Sequence, residues 1–422
     1  MASILIVSKH GSGIPLALHL AKQEGHLVKI WIKDKEFRDV LQGSTNPKLI
    51  NSYNVNPQSI DIAIGDMVGI GDELDELKAK GIITACGGVF NDKMELDRVY
   101  SMKVAQSIYN KDYIPETIPC KSKIDIIDCL SKDKPMVIKP LGNKAVGLTL
   151  VSNDEQNRSL KSFVDNNSDE ILPCIVQEKV NGIEITIEGW FNKDWIKDSF
   201  NCTIESKRFL NNDKGPNVGC MGNVVWQCKE NKLVKEFLHP ATDLLNKVDY
   251  CGPFAVTLII AKDSMNVLEF TTRFGYDAIQ AYVELLKQSF FDFIYNLAIN
   301  SGRPVSLYND SLSLAVRLSM PPYPNKGNTS FISNLQVLDI PEKANHHVWL
   351  TDVNFKNSKC VIAGTDGVIG CITARGDSVR MAQKRVYRTI NNIAINTDIQ
   401  YRTDIGNGIE EKILQLTEWG YL

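Results

Sequence analysis

Residues 1–34 constrain the fold of this chain more than any other stretch. Ile4 to Val7 is an unbroken apolar run, as expected for a parallel strand covered on both faces. Gly11-Ser12-Gly13 turns the chain, Leu16, Leu18, Leu20 and Ala21 supply a helical stripe, and Gly25 closes the helix. Leu27 to Ile32 then resumes as strand, which completes a βαβ unit. IDIAIG (60–65) and GIITACGG (81–88) read as further strands, with DELDELKAKG as the helix between them. This alternation specifies an open parallel, Rossmann-like α/β domain over residues 1–95. Its glycine turn has two readings. The Gly11 and Gly13 amides can face an anion at a helix N-terminus, or the turn is simply tight.

The 422 residues exceed what one compact core holds, so roughly two to four domains are expected. A net charge of −3 provides no overall basic field, which argues against bulk nucleic-acid binding. No apolar run approaches the ~20 residues that span a bilayer, and Met1 leads straight into SILIV without the pattern of a signal peptide. A cytoplasmic protein with no membrane partner is expected. Ten cysteines never form a Cys-x-x-Cys pair and the six histidines are unpatterned, which argues against zinc and for reduced, mostly buried thiols.

The middle of the chain alternates strands with polar turns. A helical pattern from Lys93 to Tyr109 carries Lys103 and ends at the prolines of YIPETIP. PMVIKPLGNKAVGLTLV (135–151) reads as a hairpin with Lys139 at the end of its first strand. In CIVQEKVNGIEITIEGWF (174–191), Glu184, Thr186 and Glu188 alternate with Ile183, Ile185 and Ile187, which puts the acids on one face. KRFLNNDKGPNVGCMGNVVW (207–226), rich in Gly, Asn and Asp, is expected to be mostly loop, and Leu233 to Val248 a helix. PFAVTLIIAKDSMNVLEF is a hairpin, and GTDGVIGCITARGDSVRMAQKRVYRTINNI (364–393) a hairpin followed by a helix. VLEFTTRFGYDAIQ (267–280) presents a carboxylate, a hydroxyl and a guanidinium within five residues, parts able to hold a metal and an anionic oxygen together. Lysines, a backbone hinge and two acids in this order are what a nucleoside triphosphate with a hard cation needs.

DKGPNVGCMG (213–222), EFTTRFG (269–275), AGTDGVIGCITARGDSVRMAQKRVY (363–387) and YRTDIG (401–406) make the chain resemble the ATP-grasp superfamily. Within it, the resemblance is to glycinamide ribonucleotide synthetase (phosphoribosylamine–glycine ligase). It implies an α/β ATP-grasp fold: the parallel domain, an ATP-grasp region over 96–305 with a hairpin lid at about 120–190, and a C-terminal mixed α+β domain over 306–422. It implies ATP and Mg2+, with Mn2+ as a substitute, and an amino acid and an amine-bearing nucleotide as small-molecule partners; the sequence leaves both monomer and dimer open. By the same resemblance Lys103, Lys139 and Lys144 meet the ATP phosphates. Gln177, Glu178 and Val180 belong to the adenine hinge, and Glu184 takes the ribose. Glu269 and Thr271 hold metal, and Arg273, with Asn217, serves the transferred phosphoryl or acyl phosphate. Asp213, Pro216, Asn217, Gly219, Met221 and Gly222 shape the substrate floor, where Lys207 or Arg208 meets an anion or caps a solvated strand end. The implied reaction joins glycine to phosphoribosylamine through an acyl phosphate.

The departures are local. Thr271 stands where the family has Asn, Cys220 where it has Gly, and Tyr276-Asp277-Ala278-Ile279 where it has Asp-Pro-Glu-Thr. The family's G-x-G-G-R-E-H-A turn becomes Ser8-Lys9-His10-Gly11-Ser12-Gly13-Ile14-Pro15, and its G-P-E-x-P-L segment becomes Gly65-Asp66-Met67-Val68-Gly69-Ile70. Activation parts are kept and amine-recognition parts are not, so a different amine acceptor is the first rival. A non-catalytic ATP-binding relic is the second. A Rossmann dehydrogenase is the weakest, since no third glycine completes the fingerprint.

Overall fold

The computed structural model describes residues 1–141, 149–152, 154–325, 337–357, 359–395 and 399–422. Ser3–Ser8, Leu27–Ile32, Lys48–Ile50, Ile62–Gly65 and Thr84–Ala85 form a five-stranded parallel sheet. The first strand lies between the second and the fourth, so the strand order reverses beside Ser8 and Gly65 and leaves a crevice at the carboxyl ends. Both faces are covered, as the apolar run requires. Ile4, Ile6, Ile30 and Ile62 enter one core, while Leu5, Val7, Trp31 and Ala63 enter another. The helical pattern that follows is two helices, Val89–Leu96 and Arg98–Ile108. Asp97 interrupts it, its carboxylate accepting from the Val99 and Tyr100 amides at the start of the second.

Thr117–Cys120, Met136–Pro140, Leu150–Val151 and Cys174–Glu178 form a separate four-stranded sheet backed by helices Lys123–Leu130 and Arg158–Ile171. This unit has its own core, built on residues such as Ile126, Met136, Leu160, Val164 and Val176. The hairpin expected over 135–151 pairs Val137 with Val151 and Ile138 with Leu150. Its turn, with Lys144, lies outside the described residues. The chain leaves this sheet at Glu178 and enters the next at Ile183.

The central sheet has nine strands, and its main path contains Ser264–Thr271, Cys251–Ala261, Ile183–Asn192, Asn201–Leu210, Lys214–Gln227, Leu312–Ser319, Val368–Gly376 and Val348–Leu350 in spatial order. Here two local readings give way to long-range pairing. Residues 207–226 are not mostly loop. Lys214–Gln227 pairs with Asn201–Leu210 on one side and Leu312–Ser319 on the other, and those partners override its poor local strand propensity. Gly222 permits the approach: a Cβ there would lie 2.5 Å from the Ala315 carbonyl oxygen. Nor does the stretch ahead of the helix in 364–393 form a hairpin: Val368–Gly376 is a single strand. Lys359–Ile362 joins a small sheet with Val353–Lys356 and Val337–Asp339, whereas Val368–Gly376 extends the central sheet. The stretch from Leu233 to Val248 is π, 3-10 and α turns in succession, with Pro240 inside it. No helix among the described residues is long and apolar enough to cross a membrane.

Candidate functional site

Ile183, Ile185 and Ile187 point into the core, which leaves Glu184, Thr186 and Glu188 on the opposite face of the central sheet. Across that face Thr186 lies opposite Thr257, and Thr257 opposite Glu269. The register slips by one between Thr257 and Leu258, so Leu268 bulges and Glu269 and Thr271 join the polar face. A second irregularity lies between Ser206 and Arg208, at Lys207. The Lys207 Nζ is 2.7 Å from Glu184 Oε1, 3.2 Å from Glu269 Oε1 and 3.9 Å from Glu205 Oε2.

These charges determine one another. Lys207, assisted by Lys139 and Arg98, holds the Glu269 carboxyl down to about 2. Burial works against the Lys207 charge, but Glu269, Glu184 and Glu205 keep it protonated well above the usual lysine range. Burial pushes the Glu205 carboxyl up to about 7 despite Lys207. Among the described residues no three His, Cys, Asp or Glu side chains form a ready metal cluster. Instead an ammonium group stands among three carboxylates.

Lys139 approaches from the other sheet. It is buried, which lowers its amine to about 8, and its Nζ donates to Gln177 Oε1 at 2.8 Å. Gln177 in turn donates to Thr117 Oγ1 at 2.8 Å. Glu178 pairs with Lys134 at 2.9 Å, and its amide donates to the Glu116 carbonyl. Val180 is half-buried in the crossing between the two sheets. Lys103 is exposed on its helix, whereas Arg98, at the start of the same helix, acts electrostatically on both Lys139 and Glu269.

The 269–280 corner is fixed by two partly buried arginines. Arg273 Nε donates to Glu95 Oε2 at 3.0 Å and Nη1 to the Phe274 carbonyl at 2.8 Å, with its guanidinium 4.4 Å from the Tyr276 ring centre. Glu95 also takes the Thr272 amide at 2.7 Å, which ties this corner to the Val89–Leu96 helix. Arg317 grips Asp277 with two bonds, of 2.8 and 3.1 Å, and lies 5.7 Å from the same Tyr276 ring. Cys220, buried beside the fully buried Met221, is 3.5 Å from Asp277 Oδ2 and accepts from Asn223.

The outer half of the 208–222 hairpin is exposed and clamped by the C-terminus. Arg208 donates to the Gly215 carbonyl at 2.8 Å. Asp213 is held by Arg402 at 2.7 Å, and Arg402 also makes two 2.8 Å bonds to Asp404 and one to the Arg208 carbonyl. Pro216 and Asn217 are exposed. Asn217 Oδ1 accepts from the Gly219 amide at 3.0 Å, and Gly219 sits at φ +87° with open space around it.

At the crevice of the parallel sheet, the glycine turn faces an anion that the chain itself supplies. The Gly11 amide donates to Ser8 Oγ at 2.8 Å, Ser8 Oγ donates to Asp66 Oδ2 at 2.5 Å, and Asp66 also accepts the Gly13 amide. A Cβ on Gly13 would lie 3.1 Å from that oxygen. Asp66 is 4% exposed, its Oδ1 has no partner, and burial raises its carboxyl to about 7.

Sequence reasoning singled out Lys139, Gln177, Glu184, Lys207 and Glu269, and the structure brings these close around the facing surfaces of the two sheets. It did not find Glu205, Arg98, Arg317, Asp66 or Arg402 as contributors. Glu205 carried a local signal in its two-residue spacing from Lys207, and Arg402 one in the YRTDIG motif, though not for its role here. Arg317 lies within a largely apolar strand, and Arg402 acts on residues far away in the chain.

Residues 119–278 match the family model described as phosphoribosylglycinamide synthetase, ATP-grasp (A) domain. A phosphoribosylamine–glycine ligase of Caldanaerobacter subterraneus is 28% identical over 242 residues, which is 56% of this chain and only 56% of that protein. The ligase of the same name from Fusobacterium nucleatum is 24% identical over 393 residues, covering 86% of this chain and 90% of the relative. The crystal structure of phosphoribosylamine–glycine ligase from Thermotoga maritima superposes with a TM-score of 0.73 at 16% identity, covering 95% of this chain and 99% of that one. The chain has an ATP-grasp fold and is similar to glycinamide ribonucleotide synthetase, also called phosphoribosylamine–glycine ligase.

Proposed function

We propose that the chain is an ADP-forming carboxylate–amine ligase. The γ-phosphoryl of ATP moves onto an amino-acid carboxylate, giving an acyl phosphate and ADP. The amine then attacks the acyl carbon, phosphate leaves, and an amide remains. Glycine and phosphoribosylamine, the substrates in the relatives' names, are the first pair to supply. One observation carries this reading: cationic Lys139, Lys207 and Arg98 are arranged around ionised Glu269 between the lid sheet and the central sheet. Such a site can accept polyphosphate charge and needs no side-chain nucleophile.

Lys139 and Arg98 attract the nucleotide phosphates, and the Gln177–Val180 crossing lies where adenine would meet backbone. Arg273, already fixed by Glu95, presents charge without reorganising. The residues fit a divalent cation in charge and in donor chemistry: Glu269 and Thr271 would hold Mg2+ or Mn2+, hard ions that favour oxygen. When bound, the ion neutralises phosphate charge.

Asp66 favours a second reading, the same activation with a different amine. A phosphate seated at the glycine turn would meet a carboxyl that already receives the Gly13 amide and the Ser8 hydroxyl. The deciding experiment supplies ATP, Mg2+ and each amino acid, with and without candidate amines, and measures ADP. Release that needs glycine and phosphoribosylamine supports the first reading, and release with glycine and another amine supports the second. ATP binding without turnover under any pairing refutes both.

A further inference from the structure

The central Lys207 cluster carries an inference about how the metal arrives, which rests on the ligase reading above. Three carboxylates from three strands point at one ammonium group. Glu184 comes from Ile183–Asn192, Glu205 from Asn201–Leu210 and Glu269 from Ser264–Thr271. The two short contacts, 2.7 and 3.2 Å, go to Glu184 and Glu269, and Glu269 is the residue placed on the metal. Lys207 stands at a strand irregularity and its side chain is only a quarter exposed, so it is held in place rather than waving in solvent. Among the described residues no three His, Cys, Asp or Glu side chains form a metal cluster, and at this place an ammonium group stands beside the carboxylates.

We propose that Lys207 is a resident counter-cation: paired with Glu184, it also neutralises Glu269, the carboxylate of the metal seat, in the unliganded protein and must be displaced from it before a divalent ion binds. Nucleotide phosphates offer the displaced ammonium a new anionic partner, so metal and nucleotide bind together and the free protein takes metal poorly. Lys207 is a positioning residue in this role, acting through Glu269.

The test uses Mn2+ without nucleotide, followed by the loss of its free EPR signal. Lys207→Met removes the charge and keeps the chain length, so its Mn2+ affinity should rise at least about tenfold over wild type, and Lys207→Arg should stay as weak as wild type. Equal or weaker binding by Lys207→Met overturns the inference. A measurement on the unaltered protein guards against a variant that does not fold. Reductive methylation read by peptide mass should label Lys207 slowly in metal-free protein and faster at saturating Mn2+, and unchanged labelling overturns the inference as well. Failure of the ligase reading is separable. A protein that meets both metal tests but releases no ADP with any amino acid keeps the Lys207 inference and loses the enzyme.

Discussion

Asp66→Asn should change the pH dependence of stability in a direction the structure fixes. The wild-type carboxyl is buried, takes the Ser8 hydroxyl and Gly13 amide on one oxygen, and leaves the other unpartnered. Its value rises from 3.8 to about 7 on folding, chiefly through burial. Between these values the folded protein binds more protons than the unfolded chain, so stability falls as pH rises through the window and levels off above it. At ~1.4 kcal/mol per pH unit the whole window is worth about 4 kcal/mol, of which about 3 kcal/mol lies between about pH 5 and about pH 8.5. Asparagine has no charge to bury. Its oxygen can keep the Ser8 and Gly13 bonds, while its unpartnered amide costs about 1–3 kcal/mol at every pH. The variant should therefore be less stable than wild type, or equal to it, in acid and should gain on it steadily toward alkaline pH. With a urea slope of about 3 kcal/mol/M, the relative midpoint should move by about 1 M between the two pH values. Urea unfolding curves of both proteins across this range measure it. Midpoints that stay parallel from acid to base would refute the burial argument and, with it, Asp66 as the internal anion of the glycine turn.

Three further outcomes follow from the site. Glu269→Gln should abolish amino-acid-dependent ADP release while moving the urea midpoint little, since its half-exposed carboxylate contributes mainly charge; retained turnover would remove it from the metal. Lys139→Met should weaken ADP binding by about 10- to 100-fold while leaving stability unchanged or higher, because burying its charge is unfavourable; calorimetry and urea curves give opposite signs only if the amine serves phosphate. Arg402→Met should cost about 2–4 kcal/mol in urea, since it strands the nearly buried Asp404 and frees Asp213. Pairing it with Asp404→Leu should recover part of that loss, and a single variant as stable as wild type would end the clamp.

What could be read in the sequence was local, and what could not depended on partners distant along the chain. The Ile4–Val7 run announced its two covered faces because each residue there is apolar whichever way it points. Residues 207–226 misled because their glycines and asparagines favour turns, while the partners that make them a strand are Asn201–Leu210 and Leu312–Ser319. The Arg402–Asp404 ending was legible as a motif, yet its hold on residues 208–213 exists only in three dimensions. The same holds at the centre of the candidate site. Simple alternation along Ser264–Thr271 would put Glu269 on the face of Met265 and Val267, both of which are buried. The bulge at Leu268 reverses that parity, so Phe270 turns to the core and Glu269 to the polar face with Lys207. A single unpaired residue thus decides whether this carboxylate is an unaffordable buried charge or the anchor of the site, and deleting Leu268 should abolish the Glu269–Lys207 pairing rather than merely loosen it.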